Sequence, residues 1–285
     1  MGIKKNELDN IWNIIKKTGV SNEMLIKDMK KNLSNGGIEF SVLNILFSSI
    51  SSLLNGNKML RILDYGSGGG RLVFYLRLMG YKNSYGVDLY SNEELDKVNL
   101  MSSNIGIDSE PIFYAYDGKT LPFDSSSFDL IISQQVVEHV HNLECYYSEC
   151  NRILNSQGKL LLEFPHRLIP FDSHTKMWFI HYFPRNIRNF FYNKYRTNEK
   201  MLASDYYDDL LNLKSKAFHK RILKKYFSKV NDQTFKRIRS FDRERYEGNI
   251  RVRRLAHLLI NIPLLGPMIA KCISVFGTAT FIAKK

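Results

Sequence analysis

Apolar positions along this chain recur with two different periods, and each change of period marks an element. Leu8, Ile11, Trp12, Ile14 and Ile15, then Met24, Leu25, Met29 and Leu33, are spaced for one or two amphipathic helices with a break near Thr18-Gly19. Asn35-Gly36-Gly37 interrupts the pattern, and Val42–Leu54 predicts a further helix closed by Asn55-Gly56-Asn57. From Leu60 the pattern alternates. Short apolar runs at Leu60–Asp64, Ser84–Asp88, Ile112–Tyr116, Phe128–Ser133 and Lys159–Phe164 predict strands. Helix-length segments at about Arg71–Met79, Asn92–Asn104 and Leu143–Leu154 lie between them, the last closed by Asn155-Ser156-Gln157-Gly158. Strands separated by helices build parallel βαβ units with right-handed crossovers, hence an α/β, doubly wound sheet. The rhythm stops after Phe164. Pro165 to about Leu213 is rich in proline and aromatic residues and predicts an inserted cap. Lys216–Phe227 then reads as a helix, Lys229–Ile238 as a strand and Thr278–Ala283 as a final strand.

The stretch that organises this pattern is Ile62 to Leu76. An apolar run ends in Asp64, breaks into four glycines within the five residues 66–70, and resumes as a helix-compatible run. Glycine permits positive φ in such a turn and lets a ligand lie on the backbone. The helix beyond it offers unpaired N–H groups to a ligand. A P-loop would close with Gly-Lys-Ser/Thr, whereas this turn continues Gly70-Arg71-Leu72. A dinucleotide fingerprint counted from Gly66 and Gly68 would need Gly or Ala at Arg71. What remains is an acid followed by Gly-x-Gly.

Composition changes the picture in one respect. Net charge is +13, and residues 176–254 hold 21 Lys/Arg against 8 Asp/Glu, while the remainder carries 20 of each. All the excess lies in one third of the chain and suits a phosphorylated substrate, an anionic membrane surface or a polyanion such as a nucleic acid, or else a simple solvated face. Cys145, Cys150 and Cys272 form no CxxC pair and no ligand-like spacing with histidine, so no metal site is expected and a reducing, cytoplasmic setting is. The first thirty residues are repeatedly interrupted by charged residues, which speaks against a secretory leader. Leu255–Met268 is apolar but broken by Pro263, Gly266 and Pro267, and it follows Arg251-Val252-Arg253-Arg254. It reads either as a helical hairpin packed on the cap or as a peripheral contact with an anionic membrane.

Ile62-Leu63-Asp64-Tyr65-Gly66-Ser67-Gly68-Gly69-Gly70-Arg71 resembles motif I of the class I S-adenosylmethionine-dependent methyltransferases, in their small-molecule branch. Further landmarks follow in order. Gly86-Val87-Asp88 closes the second strand, Asp117-Gly118 the third, Gln134-Gln135-Val136-Val137-Glu138-His139-Val140 follows the fourth, and Arg152–Lys159 leads into the fifth. The resemblance implies a Rossmann-like sheet, mostly parallel with an antiparallel final strand. It would form a methyltransferase domain over residues 42–285, with a helical lid segment over 1–41, the cap over about 165–213 and an apolar helical insertion over about 250–275. It implies S-adenosylmethionine as cofactor, held by Asp64, Gly66, Gly68, Asp88, Leu89, Asp117, Gly118 and Gln134. Asp88 would accept from the ribose hydroxyls, while Leu89 and Ile112–Tyr116 would wall the adenine.

The acceptor is less defined. His139, His166 and His174 are the candidate general bases, since imidazole titrates near neutrality. Quinone-biosynthesis O-methyltransferases with a similar segment have a metal-holding glutamate where this chain has Gln135, so no metal is assigned. The cap bears a looser resemblance to methyltransferases of surface-polysaccharide clusters. The expected reaction is O-methylation of a glycan precursor, nucleotide- or lipid-linked. The alternatives are a quinone or other lipid-like acceptor and, less favoured, a nucleic acid: no Asn/Asp-Pro-Pro-Tyr/Phe segment follows the fourth strand.

Overall fold

The computed structural model describes residues 50, 52–78, 80–104, 110–172, 177–194, 211–239, 255 and 258–285. The expected lid over 1–41, the run Arg251–Arg254 and His174 lie outside these residues.

Nine strands and seven α-helices are delimited among the described residues. A seven-stranded sheet runs in the order β3 (Phe113–Ala115), β2 (Ser84–Asp88), β1 (Ile62–Tyr65), β4 (Phe128–Gln134), β5 (Leu154–Phe164), β9 (Ala279–Lys284), β8 (Lys229–Asp232). The β3-β2-β1-β4-β5 pairings are parallel, and β9 is antiparallel to both its neighbours. The parallel part is the sheet expected from the alternation of elements, and the antiparallel β9 is the final strand that the resemblance implied. Sequential strands run outward from β1 in one direction and then resume beside it with β4. The order therefore reverses between β1 and β4, which opens a crevice beyond their carboxyl ends.

The central strands are apolar throughout because both faces are covered. One layer packs α1 (Arg71–Leu78) and α2 (Asn92–Asn104) over Ile62, Phe113, Leu130 and Ile132. The other packs α3 (Leu143–Ile153) and α5 (Lys216–Tyr226) over Leu63, Tyr65, Leu162 and Phe281. In α3 the buried positions Leu143, Tyr146, Tyr147, Cys150 and Ile153 form one helical stripe, and Asn142 caps its start by accepting from the Cys145 N–H at 3.0 Å. Ser215 caps α5 in the same way, accepting from the Phe218 N–H.

Two boundaries differ from the sequence reading. Asn155–Gly158 is not a turn that separates α3 from the fifth strand. β5 begins at Leu154, pairs with Phe128, and bulges before resuming register at Leu130↔Lys159, with the Asn155 amide donating to Asp129. Lys229–Ile238 is not one strand. β8 ends at Asp232, whose Oδ1 accepts from the Thr234 N–H at 2.9 Å, and α6 (Thr234–Arg239) follows. The side-chain turn outcompetes the ladder.

Of the cap, a short hairpin of β6 (Phe171–Asp172) and β7 (Met177–Trp178), a 3-10 turn over Ile180–Tyr182 and α4 (Arg185–Lys194) are described. The apolar insertion supplies α7 (Gly266–Phe276), which rests on α6.

Candidate functional site

The glycine turn is built by a conflict between chain direction and packing. At the end of β1 the N–H groups of Gly66 and Ser67 both donate to the Val87 carbonyl, which folds the chain over the end of β2. Gly66 has φ +87 and a Cβ there would lie 2.2 Å from Val136 Cγ2; Gly70 has φ +75 and a Cβ would lie 2.4 Å from Phe113. Gly68 differs. Its φ is +48, yet a Cβ would meet no atom within 4 Å. The two outer glycines are required by the fold, while Gly68 faces open space at the mouth of the crevice.

Asp88 is locked against this turn. Its Oδ2 accepts from the Gly68 N–H and its Oδ1 from the Leu89 N–H, both at 2.7 Å. Each carboxylate oxygen has a second lone pair, so a neighbouring diol can be bound without breaking either bond. Tyr90, two residues on, donates its hydroxyl to the Gly68 carbonyl at 2.5 Å and lies 2.8 Å from Ser67 Oγ. It clamps the turn from the other side, and burial pushes its hydroxyl pKa up.

Asp64, at the end of β1, is 6% exposed. Burial pushes its carboxyl up to about 8, the Asp88 charge adds to this, and the Arg71 guanidinium opposes it. Asp64 is therefore largely protonated at neutral pH in the ligand-free protein. A cationic group placed beside it would draw the proton off.

The remaining expected cofactor residues lie at the same ends of the sheet. Asp117 and Gly118 follow β3; Asp117 Oδ1 accepts from the Lys119 and Thr120 N–H groups at 2.8 Å, and these bonds hold its carboxyl below the usual range. Gly118 has φ +80, and a Cβ there would lie 3.5 Å from Leu89 Cδ2, which places exposed Leu89 across from that turn. Gln134 ends β4, but its amide donates to Glu163 Oε2 at 3.3 Å. Of the expected adenine wall, Ile112 and Phe113 belong to the α1–α2 core, Tyr114 and Tyr116 pack half-buried against the other layer, and Leu89 is exposed.

The histidines part company. His139 sits in the turn after β4, exposed, with its N–H donating to the Val136 carbonyl at 2.8 Å; Val136 is the residue packed under Gly66. His166 is buried. Its Nε2 lies 2.9 Å from the Gly277 carbonyl and its Nδ1 3.3 Å from the Leu168 N–H, which fixes the tautomer with the proton on Nε2. Burial pushes its pKa down to about 4. It ties the first turn of the cap to the chain before β9 rather than presenting a lone pair to a substrate.

Residues that the sequence reading missed complete the frame. Glu163 and Arg237 form a buried ion pair, and Arg237 also donates to the Thr278 carbonyl at 2.6 Å. Ser133 Oγ and the Tyr146 hydroxyl are 2.6 Å apart beneath β4. Tyr90 had a signal available, an aromatic hydroxyl two residues past the acid that closes β2. A separate groove of about 260 Å³, lined by Arg61, Tyr85, Tyr114, Phe123 and Phe128, opens at the opposite ends of the strands, away from Asp64 and Asp88. Among the described residues no cluster of three or more His, Cys, Asp or Glu suits a metal ion.

Residues 63–162 match the family model described as a methyltransferase domain. A phosphoethanolamine N-methyltransferase from Plasmodium falciparum is 29% identical over 132 residues, which covers 46% of this chain and 46% of that protein. A ubiquinone biosynthesis O-methyltransferase from Chelativorans sp. is 30% identical over 104 residues, or 36% of this chain and 39% of that one. The match thus spans less than half the length of these relatives. Among solved structures, an S-adenosylmethionine-dependent methyltransferase from Mesorhizobium loti aligns with a TM-score of 0.52 at 15% identity, covering 85% of this chain and 98% of that one. A (4+2)-cyclase aligns with a TM-score of 0.51 at 15% identity, covering 86% and 82%. These two share the fold, and the cyclase shows that the fold alone does not fix a reaction.

Proposed function

We propose that this chain, whose residues 63–162 form a methyltransferase domain of the class I, S-adenosylmethionine-dependent family, transfers a methyl group to a hydroxyl of a glycan precursor, nucleotide- or lipid-linked. The observation that carries the cofactor reading is the Asp88 carboxylate, held by two backbone N–H groups against a glycine whose missing Cβ opens onto the crevice. S-adenosylmethionine, when bound, supplies an electrophilic methyl on a cationic sulfur.

The chain's own groups would act as follows. Asp88 accepts from the ribose hydroxyls, and the Gly68 backbone lies flat against the ligand. Asp64 ionises as a cationic end approaches, so a proton leaves the protein on binding. Leu89 and the Asp117–Gly118 turn flank the adenine. Of the two candidates among the described residues, we assign the acceptor base to His139, exposed beside the turn that packs on Gly66, because His166 is committed to the backbone at both nitrogens. Positioning of acceptor against methyl supplies most of the rate.

The glycan reading is supported by the cap, which presents Trp178, Phe179 and Tyr182 as exposed rings beside a strongly basic stretch of sequence. Rings stack on sugar faces, and Lys and Arg pair with phosphate. The phosphoethanolamine relative offers a parallel for a phosphorylated acceptor. A quinone-type acceptor is the second reading, favoured by the ubiquinone O-methyltransferase relatives. A screen with methyl-labelled cofactor against nucleotide sugars, lipid-linked saccharides and quinone precursors separates the two. Label on quinones alone removes the glycan reading, and label on none of the three removes both.

A further inference from the structure

Helix α7 is built inside out. Its buried residues are the small ones, Gly266, Ala270 and Ser274, and a Cβ on Gly266 would sit 2.1 Å from the Ile260 carbonyl oxygen. Its large apolar residues face the other way. Met268 is 65% and Phe276 52% exposed, with Leu265 just before the helix at 54%. Leu264 is 92% exposed and is held at φ +64, a left-handed conformation that disfavours every side chain. A branched apolar residue kept fully in water on a strained backbone is not explained by packing. A contiguous apolar surface of this kind marks a contact face.

The geometry points to an anionic lipid bilayer as the occupant: α7 and the Pro263–Leu265 tip form a surface that docks on the headgroup region and inserts Leu264, Leu265 and Met268. Charge selects this partner. Residues 251–276 of the sequence contain four Lys/Arg and no Asp or Glu, Lys271 is exposed on α7 itself, and Lys236 and Arg239 are exposed on the neighbouring α6. A second copy would set Lys271, Lys236 and Arg239 against their own like charges. The mode is interfacial. α7 has 11 residues, far fewer than a bilayer span needs, and among the described residues no helix is long and apolar enough to cross.

The surface is tied to the start of the cap. Gly277, next after α7, accepts from His166 at the start of the cap, and Thr278 accepts from Arg237, which pairs with Glu163 on β5. Docking therefore presents the cap to the membrane, where a lipid-linked acceptor would be met; only that last clause rests on the function proposed above.

Flotation of the full chain with phosphatidylglycerol/phosphatidylcholine vesicles, without cofactor, tests the docking alone. Wild type is expected to float with anionic vesicles, to float poorly with pure phosphatidylcholine, and to be released by high salt. Met268→Glu and Leu264→Gly should each weaken partitioning about tenfold or more. Leu264→Gly also relieves the left-handed backbone, so its melting temperature should stay level or rise while vesicle binding falls. Absence of wild-type flotation, or flotation unchanged in both variants, overturns the proposal. So does a concentration-dependent dimer of the free protein, seen by light scattering, that both variants abolish. Cofactor binding measured on the same samples reports separately on the proposed function.

Discussion

Replacing Asp64 by Asn should make the ligand-free protein more stable and its cofactor binding weaker. The carboxyl of Asp64 is buried, faces the charge of Asp88, and has its pKa raised from 3.8 to about 8. In the unfolded chain it ionises near the ordinary value. Between these two values the folded state holds the extra proton, so stability falls as pH rises from about 4 to about 8 and levels off above. Each pH unit in that window is worth about 1.4 kcal/mol, so the ionisable side chain costs about 4 kcal/mol at pH 7 relative to a group that never ionises. An amide must still satisfy its own donors, so a net gain of roughly 2–4 kcal/mol is the expectation. Urea unfolding of wild type and Asp64→Asn at pH 5, 7 and 8.5 measures it. The variant should lose most of the downward slope with pH. Its dissociation constant for S-adenosylmethionine, by calorimetry, should rise about tenfold or more, because a charge-assisted partner is gone. A variant no more stable than wild type at pH 7, with the same pH slope, would refute the reasoning.

Gly66→Ala and Gly68→Ala should separate fold from ligand. The first drives a methyl into Val136 at a positive φ and should destabilise by roughly 3 kcal/mol in thermal or urea unfolding. The second meets no atom of the protein and should cost about 1 kcal/mol of stability, yet weaken cofactor binding at least about tenfold. Glu163→Gln leaves Arg237 buried without its countercharge and should destabilise by about 3–5 kcal/mol in urea unfolding, while Tyr90→Phe should lose about 1 kcal/mol and raise the KM for cofactor. His166→Ala should lower the melting temperature without moving the pH profile of kcat, whereas His139→Ala should lower kcat about a hundredfold with little change in melting temperature.

The fold was legible wherever a single period ran unbroken. Ser84–Asp88, Asn92–Asn104 and the order of the first five strands follow from apolar spacing and glycine breaks, because elements buried on one or both faces must show it in sequence. Legibility failed where side chains rewrote the backbone. Asn155 holding Asp129 made a bulge of an expected turn, and Asp232 capping Thr234 ended a strand early. At the site, one turn brings Asp64, Gly66, Gly68, Asp88 and Leu89 together, and its acid-and-glycine spacing is visible in sequence; that they hold the cofactor is the proposal made above. The backbone partners of His166 were not legible, because one of them, Gly277, lies 111 residues away. The Glu163–Arg237 pair, 74 residues apart, was silent for the same reason. Contacts made only by the tertiary fold leave no local period.

The account stands most directly on Asp88. Calorimetric titration of wild type and Asp88→Ala with S-adenosylmethionine at pH 7 measures its part. Wild type should bind at one site per chain and release a proton whose heat varies with buffer. Asp88→Ala should bind at least about tenfold more weakly. Failure of wild type to bind, or an affinity unchanged by Asp88→Ala, would contradict the placement of the cofactor between the glycine turn and the end of β2.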